Sequence, residues 1–361
     1  MYCVIVGDIV NSRVMTQEDR SDAGVYIQRV FDRINSDYHM YLLSDFEFAS
    51  GDSFEAVLLA HYKAVEITQR IIKELYPICR IRISIAIGEL YTLSKYTKSV
   101  NSIDGPAFHI ASDMINAQKK SKSNHFLQLR IHTSHKAQVL LDALINLLEV
   151  VTIRWTNRQR QVAWDYERFG EDILLLSQAM GISVAAIRKH LKAAGYSSYH
   201  LAWKAMEEYL ADSFMSLPYY ESCDDYLLHL NAACHYYDSK DYLSAENCIN
   251  KSLVLAEKRF SSNSQMLVPV LHVLSEILLK LGSFQELIKV SEKSLDIQNE
   301  LPPGRNSYII TLMLLGLAQQ NLGMVDLAKS TLEKVKAIET TMSGESSSNQ
   351  LYWERITNRN I

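Results

Sequence analysis

Two carboxylates set the chemistry that this chain could carry. Val4-Ile5-Val6-Gly7-Asp8-Ile9-Val10 is an apolar run of buried-strand type that ends on Asp8. Further on, Phe46, Phe48 and Ser50 alternate with Glu47 and Ala49, Gly51-Asp52 interrupts the run, and Phe54-Glu55-Ala56-Val57-Leu58 follows. That spacing predicts a β-hairpin with Asp52 at its tip. With the first strand beside the hairpin, the side chains of Asp8 and Asp52 could share a divalent ion. Hard oxygen ligands suit Mg2+ or Mn2+, above all when phosphates complete the shell. The same residues have a plain structural reading, because Gly-Asp is a common turn pair and an Asp after a buried strand often caps the next helix.

The elements that must position these groups follow an order of β, α, β-hairpin, α, β, α, β over residues 1 to about 135. Val25, Ile27, Val30, Phe31 and Ile34 fall at helical spacing, as do Ala64, Ile67, Ile71 and Leu75, and Pro77 ends the second helix. Ile81 to Gly88 alternates as a strand. Gly105-Pro106-Ala107 opens a helix from about Phe108 to Lys119, and Phe126 to Ile131 gives a late strand. Lys119, Lys120 and Lys122 gather after that helix, either as a phosphate patch or as a solvated helix end with cations favourable to the dipole.

This order and its punctuation resemble the class III nucleotidyl cyclase and GGDEF-type catalytic fold, a ferredoxin-like α+β core. Val6-Gly7-Asp8-Ile9-Val10-Asn11-Ser12 stands where that fold has its first metal Asp, and Gly51-Asp52 where it has the hairpin Gly-Asp. Ile83 to Gly88 resembles the next strand, and Gly105 to Asp113 the substrate-side helix. The resemblance implies Mg2+ or Mn2+ on Asp8 and Asp52, and a nucleotide against Asn11, Ser12, Gly51 and His109. It also has departures. His109 and Asp113 occupy the positions of an Asn and an Arg that serve ribose and transition-state charge, and Phe48 replaces a base-reading Lys. An Asp adds like charge where the Arg neutralises a developing phosphoryl charge. Cyclic-nucleotide synthesis by the cyclase route is therefore not expected unless a partner chain supplies an Arg. His109 also reads simply as a partly buried helix residue.

From Thr152 the character changes. Trp155-Thr156-Asn157-Arg158-Gln159-Arg160 brings Arg side chains around a Thr that can cap a helix running to Phe169. Asp172 to Leu191 reads as a helix-turn-helix: Leu176, Met180, Ile182, Ile187 and Leu191 take the packing positions, Gly181 the turn and Ser183 the cap of the second helix. Ser183, Arg188, Lys189, His190 and Lys192 would then face phosphates and base edges of DNA. The alternative is a helical hairpin used for packing or dimerisation. The cyclase-like domain, the Trp155 to Arg160 lead-in and the helix-turn-helix together resemble the SatD family over about residues 1–200, which implies a DNA-binding or regulatory protein.

The final third is helical and repetitive. Ala233, Tyr236, Ala245, Ile249 and Ser252 match the packing positions of a tetratricopeptide (TPR) unit; Ser275, Leu278, Leu287, Ser291 and Ser294 repeat the pattern, and Gly316, Gln319, Ala328, Leu332 and Val335 repeat it again. The offsets of 42 and 41 residues exceed the common 34, so these are long-helix repeats. Such an all-α stack offers a concave surface for a protein or peptide, or a face for self-association. The expected organisation is a cyclase-like domain over 1–150, a helix-turn-helix domain over 151–212, TPR-like repeats over 213–341, and a Ser- and Gly-containing tail over 342–361.

Bulk properties limit the function classes. The 361-residue chain carries a net charge of −4, so any DNA contact must be local. Five scattered cysteines without CxxC spacing fit a reducing cytoplasm better than a disulfide framework or a zinc site. The start carries no signal-peptide pattern, and no apolar stretch is long enough to span a bilayer. The expected protein is a cytoplasmic regulator that binds DNA and a nucleotide with Mg2+ and assembles through its repeats. The alternative is a metal-dependent enzyme, a synthase or hydrolase of nucleoside triphosphates, with Glu55 or His109 handling protons. A pure scaffold is a third reading, disfavoured by the two metal-type Asp residues.

Overall fold

The computed structural model describes residues 1–10, 12, 17–76, 78–91, 103–120, 128–133, 138–215, 225–298 and 306–342. A five-stranded sheet of order β2-β3-β1-β4-β5 forms the N-terminal part, from β1 (Tyr2–Ile9), β2 (Leu42–Ser50), β3 (Ser53–Leu58), β4 (Ile81–Gly88) and β5 (Gln128–His132). The apolar β1 is the central strand and buried throughout, antiparallel to both β3 and β4, while β5 runs parallel to β4 at one edge. Gly51-Asp52 is a two-residue turn between β2 and β3, with the positive φ of +62° on Gly51.

Strand alternation divides the sheet into two unlike faces. Cys3, Ile5, Gly7, Phe54, Ile83 and Ile85 lie on the apolar face, which packs against α1 (Gln17–Asp37) and α2 (Lys63–Leu75). The ring of Phe31 on α1 meets Phe54 at 4.9 Å and Phe46 at 5.8 Å. Phe54 also lies across its register partner Gly7, where a Cβ would overlap the ring. The other face carries Asp8, Ser53, Glu55, Arg82 and Ser84, and α3 (Pro106–Lys120) crosses it, with Gln118 Nε2 donating to Ser84 Oγ at 3.1 Å.

The helix α4 (Gln138–Ile153) follows β5 in a stretch that helical spacing marks poorly, because large apolar residues stand on its exposed as well as its buried side. Next come α5 (Asn157–Arg168), α6 (Ile173–Met180), α7 (Val184–Ala194) and α8 (Tyr196–Met215). Val162, Leu176 and Ile187 close a small core of their own among α5, α6 and α7. Trp155 Nε1 donates to the Ala194 carbonyl at 2.7 Å and so ties the start of this segment to the end of α7.

The repeats form three helix pairs, α9 (Tyr226–Asp238) with α10 (Tyr242–Phe260), α11 (Val268–Leu281) with α12 (Phe284–Gln298), and α13 (Asn306–Asn321) with α14 (Val325–Met342). Of the expected packing residues, Ala233, Ala245, Ile249, Ser252, Ser275, Leu278, Leu287, Ser291, Ser294, Gly316, Gln319, Ala328 and Val335 are buried, while Tyr236 and Leu332 are half-buried. Leu332 packs so close to Gly316 that a Cβ there would stand 2.8 Å from its Cδ2.

The first helices of the pairs face the chain's own sheet domain. Residues 226–234 and 270–278 are continuously buried, and the chain's own sheet domain lies against them. Asn231 Nδ2 donates to the Leu59 carbonyl at 2.8 Å, the hydroxyls of Tyr2 and Tyr226 meet at 2.6 Å, and Tyr41 and Tyr62 both donate to Asp238, at 2.5 and 2.9 Å. Among the described residues no helix is long and apolar enough to cross a membrane.

The close approach of Phe54 to Gly7 gives a direct test. Gly7→Ala must push the ring out of the core, and overpacking of this kind costs about 1–3 kcal/mol. The expected result in urea denaturation is a lower midpoint with an unchanged slope.

Candidate functional site

The structure brings the end of β1 and the hairpin tip together. Asp8 is paired in register with Ser53 on one side and Arg82 on the other, and the Ile9 amide donates to the Asp52 carbonyl at 3.3 Å. Ser12, itself buried, donates to the Asp52 carboxylate. Gly51 supplies the turn. Asn11 lies outside the described residues. Asp8, Ser12, Gly51 and Asp52 therefore form one neighbourhood.

The chemistry of that neighbourhood differs from a metal centre. Asp8 is only 2% exposed. Its Oδ2 lies 3.0 Å from Arg82 Nη1, and its Oδ1 lies 2.6 Å from Lys119 Nζ, which reaches back from the last turn of α3. Two protein cations thus already neutralise the one buried carboxylate, which a lone buried charge requires. A divalent ion would need the same oxygens and would meet like charge from both sides. Among the described residues no group of three or more His, Cys, Asp or Glu side chains gathers to hold a metal. As placed, these residues do not fit Mg2+ or Mn2+.

The proton-handling candidates are placed apart. Glu55 shares the face of Asp8, two register pairs away, and stands opposite Glu47. Burial first, and the charge of Glu47 second, hold its carboxyl above the usual carboxylate range. His109 sits in the first turns of α3, ten residues before Lys119, or about 15 Å away at helical rise. Its ring is 68% exposed and lies 3.3 Å from Asp104. His109 is therefore at the other end of α3 from Asp8 and Asp52.

Arg82 and Lys119 are the residues that the motif reading left out of the site. The signal for Arg82 was present: in Ile81-Arg82-Ile83-Ser84 the alternation puts Arg82 and Ser84 on the face opposite the isoleucines. Lys119 read as a helix-end cation, and only the path of α3 across the sheet reveals its partner.

The second candidate region is α6–α7. Asp172 accepts from the amides of Leu174 and Leu175 at 2.8 and 3.0 Å and starts α6. Gly181 ends it in the left-handed region at φ +62°, and Ser183 starts α7 by accepting from the Ala186 amide at 3.2 Å. The Ser183 hydroxyl is thus engaged as a cap. Ala185, Arg188, Lys189 and Lys192 follow at helical spacing on one exposed face of α7, while His190 is half-buried beside it. Of the upstream arginines, Arg160 is structural: it is buried, stacks on Tyr76 at 4.5 Å and donates to the Tyr76 hydroxyl at 2.6 Å, fixing α5 to the end of α2. Thr156 and Gln159 form a reciprocal capping box at the start of α5.

Fold and sites together define a protein in which an α+β domain leads through short helices into a helical repeat. The chain belongs to the SatD family, whose model matches residues 2–210, from β1 into α8. No curated protein matches it. Among solved structures, a TPR-like protein from Chlorobium tepidum is 19% identical at a TM-score of 0.30, over 37% of this chain and 90% of its own. Two structures of a kinesin light chain protein of Podospora anserina with nearly identical TPR-like repeats are 18% and 20% identical at a TM-score of 0.32, over 52% of this chain and 96% of theirs. The pairing of α9 to α14 rests on packing within the chain itself.

The Asp8 geometry predicts that Arg82→Ala, by leaving a buried carboxylate short of a partner, destabilises the protein by about 3 kcal/mol, measured by chemical denaturation. Millimolar Mg2+ is expected to leave the melting temperature of the unaltered protein unchanged. A rise would mean that an ion binds the native state in spite of the two cations.

Proposed function

We propose that this protein is a DNA-binding regulator whose α6–turn–α7 unit is a helix-turn-helix with α7 as the reading helix. The observation that carries this reading is the exposed face of α7. Arg188, Lys189 and Lys192 stand there together on a chain of net charge −4, a local cationic stripe of the kind that meets phosphates. The caps on both helices and the left-handed Gly181 between them support a rigid unit, and Trp155 and Arg160 hold that unit against the rest of the molecule. In this reading residues 151–212 form the DNA-binding domain and residues 1–150 a cyclase-like α+β domain.

The strand order β2-β3-β1-β4-β5 and the Gly-Asp hairpin support the likeness of that domain to the cyclase and GGDEF arrangement. Its Asp8 carboxylate serves instead as the centre of an ion triad with Arg82 and Lys119. Catalysis on nucleoside triphosphates is the second reading, and it has to contend with Arg82 and Lys119 already engaging both oxygens of Asp8. A nucleotide, if the domain takes one, would have to be held without a divalent ion on Asp8.

Binding of the full chain to a mixed-sequence duplex, followed by fluorescence anisotropy over a range of salt, tests the reading. Removing one phosphate-binding cation lowers the salt slope by about 0.9. The double variant Arg188→Ala and Lys189→Ala is therefore expected to weaken binding and lower the slope by about 2. Absence of duplex binding by the unaltered protein, or identical slopes for protein and variant, would overturn it.

A further inference from the structure

We infer that α4 is the interface through which two copies of this chain pair about a twofold axis. The two sides of that helix are at odds with its surroundings. Its inner side is in place: Leu141, Ile145 and Leu148 are buried, Arg130 pairs with Glu149 at 2.8 Å, and Gln138 bridges to the Ile131 carbonyl at 2.6 Å and the Thr133 amide at 2.8 Å. Its outer side is largely apolar, with Asn146 as an exposed polar residue within it. Val139, Leu140, Leu147, Val150 and Ile153 are between 49% and 78% exposed. Large aliphatic side chains on both sides of a helix call for packing on both sides, yet the outer side of this one faces solvent.

The exposed positions have the spacing of a packing seam. Leu140, Ala143, Leu147 and Val150 follow one another by three, four and three residues, the pattern that brings one helix against another. No charged side chain interrupts them, so the seam is complementary to itself, as a twofold interface requires. Asp142 lies toward one end of the helix and Arg154 just past the other. An antiparallel pair therefore sets the acid of one copy toward the base of the other. The five side chains offer roughly 500 Å² of apolar surface, at the upper end of what a lone soluble protein exposes. Two copies together bury about 1,000 Å², the threshold for a specific interface. A second copy suits this face better than an unrelated partner, because the stripe offers little charge for such a partner to read. This inference does not rest on DNA binding.

Sedimentation velocity on the full chain at high micromolar concentration tests it, with Leu147→Glu and Val139→Glu as variants. Both positions are exposed, so far-UV circular dichroism is expected to stay unchanged; if one variant misfolds, the other carries the test. The expected result is a dimer for the unaltered protein and a monomer for the folded variants. A monomeric unaltered protein, or a dimer that persists in a folded variant, would overturn the inference.

Discussion

The arrangement of this molecule depends on one carboxylate. Asp238, at the end of α9, accepts from the hydroxyls of Tyr41 and Tyr62 and pairs with Lys63 at 3.1 Å. The donors come from the sheet domain and the acceptor from the repeats, so the contact joins two parts of the chain that are remote in sequence. The donors also keep their protons. Burial raises the hydroxyls of both tyrosines above their ordinary range, and Asp238 adds to the effect. Burial works to lower Lys63, but Glu66 and Asp238 outweigh it and hold its ammonium above the usual value. Tyr41 and Tyr62 thus stay donors to Asp238, and Lys63 stays its cationic partner.

This anchor accounts for where the free surfaces lie. With Asp238 in place, α9 and α11 rest on the sheet domain, and His39 stands 3.1 Å from Glu276 at the next contact along. The inner face of the repeats serves to hold the chain together. Segments left outside that contact include the cationic face of α7 and the apolar seam of α4. They are unlike in chemistry, one suited to phosphates and the other to a second apolar helix, and they sit on neighbouring elements.

Much of the fold was legible in the sequence where periodicity was clean. β1 is an unbroken apolar run and is a central strand; Gly51-Asp52 is the hairpin turn; the spaced small residues of the repeats are buried where the pattern put them. α4 was not legible, because Val139, Leu140, Leu147 and Val150 put apolar residues on its exposed side and blur the period. The candidate site was legible only in part. The pairing of strand one with the hairpin brought Asp8 and Asp52 into one neighbourhood, as their order in the chain implied. What motif order could not reveal was that Arg82 and Lys119 arrive at Asp8 from a neighbouring strand and from the far end of a crossing helix. His109 looked like part of the same site because α3 as a whole belongs to it, but the helix is long enough to put its two ends at opposite ends of the sheet.

The most direct measurement of this account is hydrogen–deuterium exchange on the full chain before and after Asp238→Ala. If the carboxylate holds the repeats on the sheet domain, residues 226–234 and 270–278 lose protection together with residues 39–42, while the amides of β1 and β4 stay protected. If the two sets of amides keep their protection in the variant, the repeats do not depend on this anchor, and the reason given for the covered inner face is wrong.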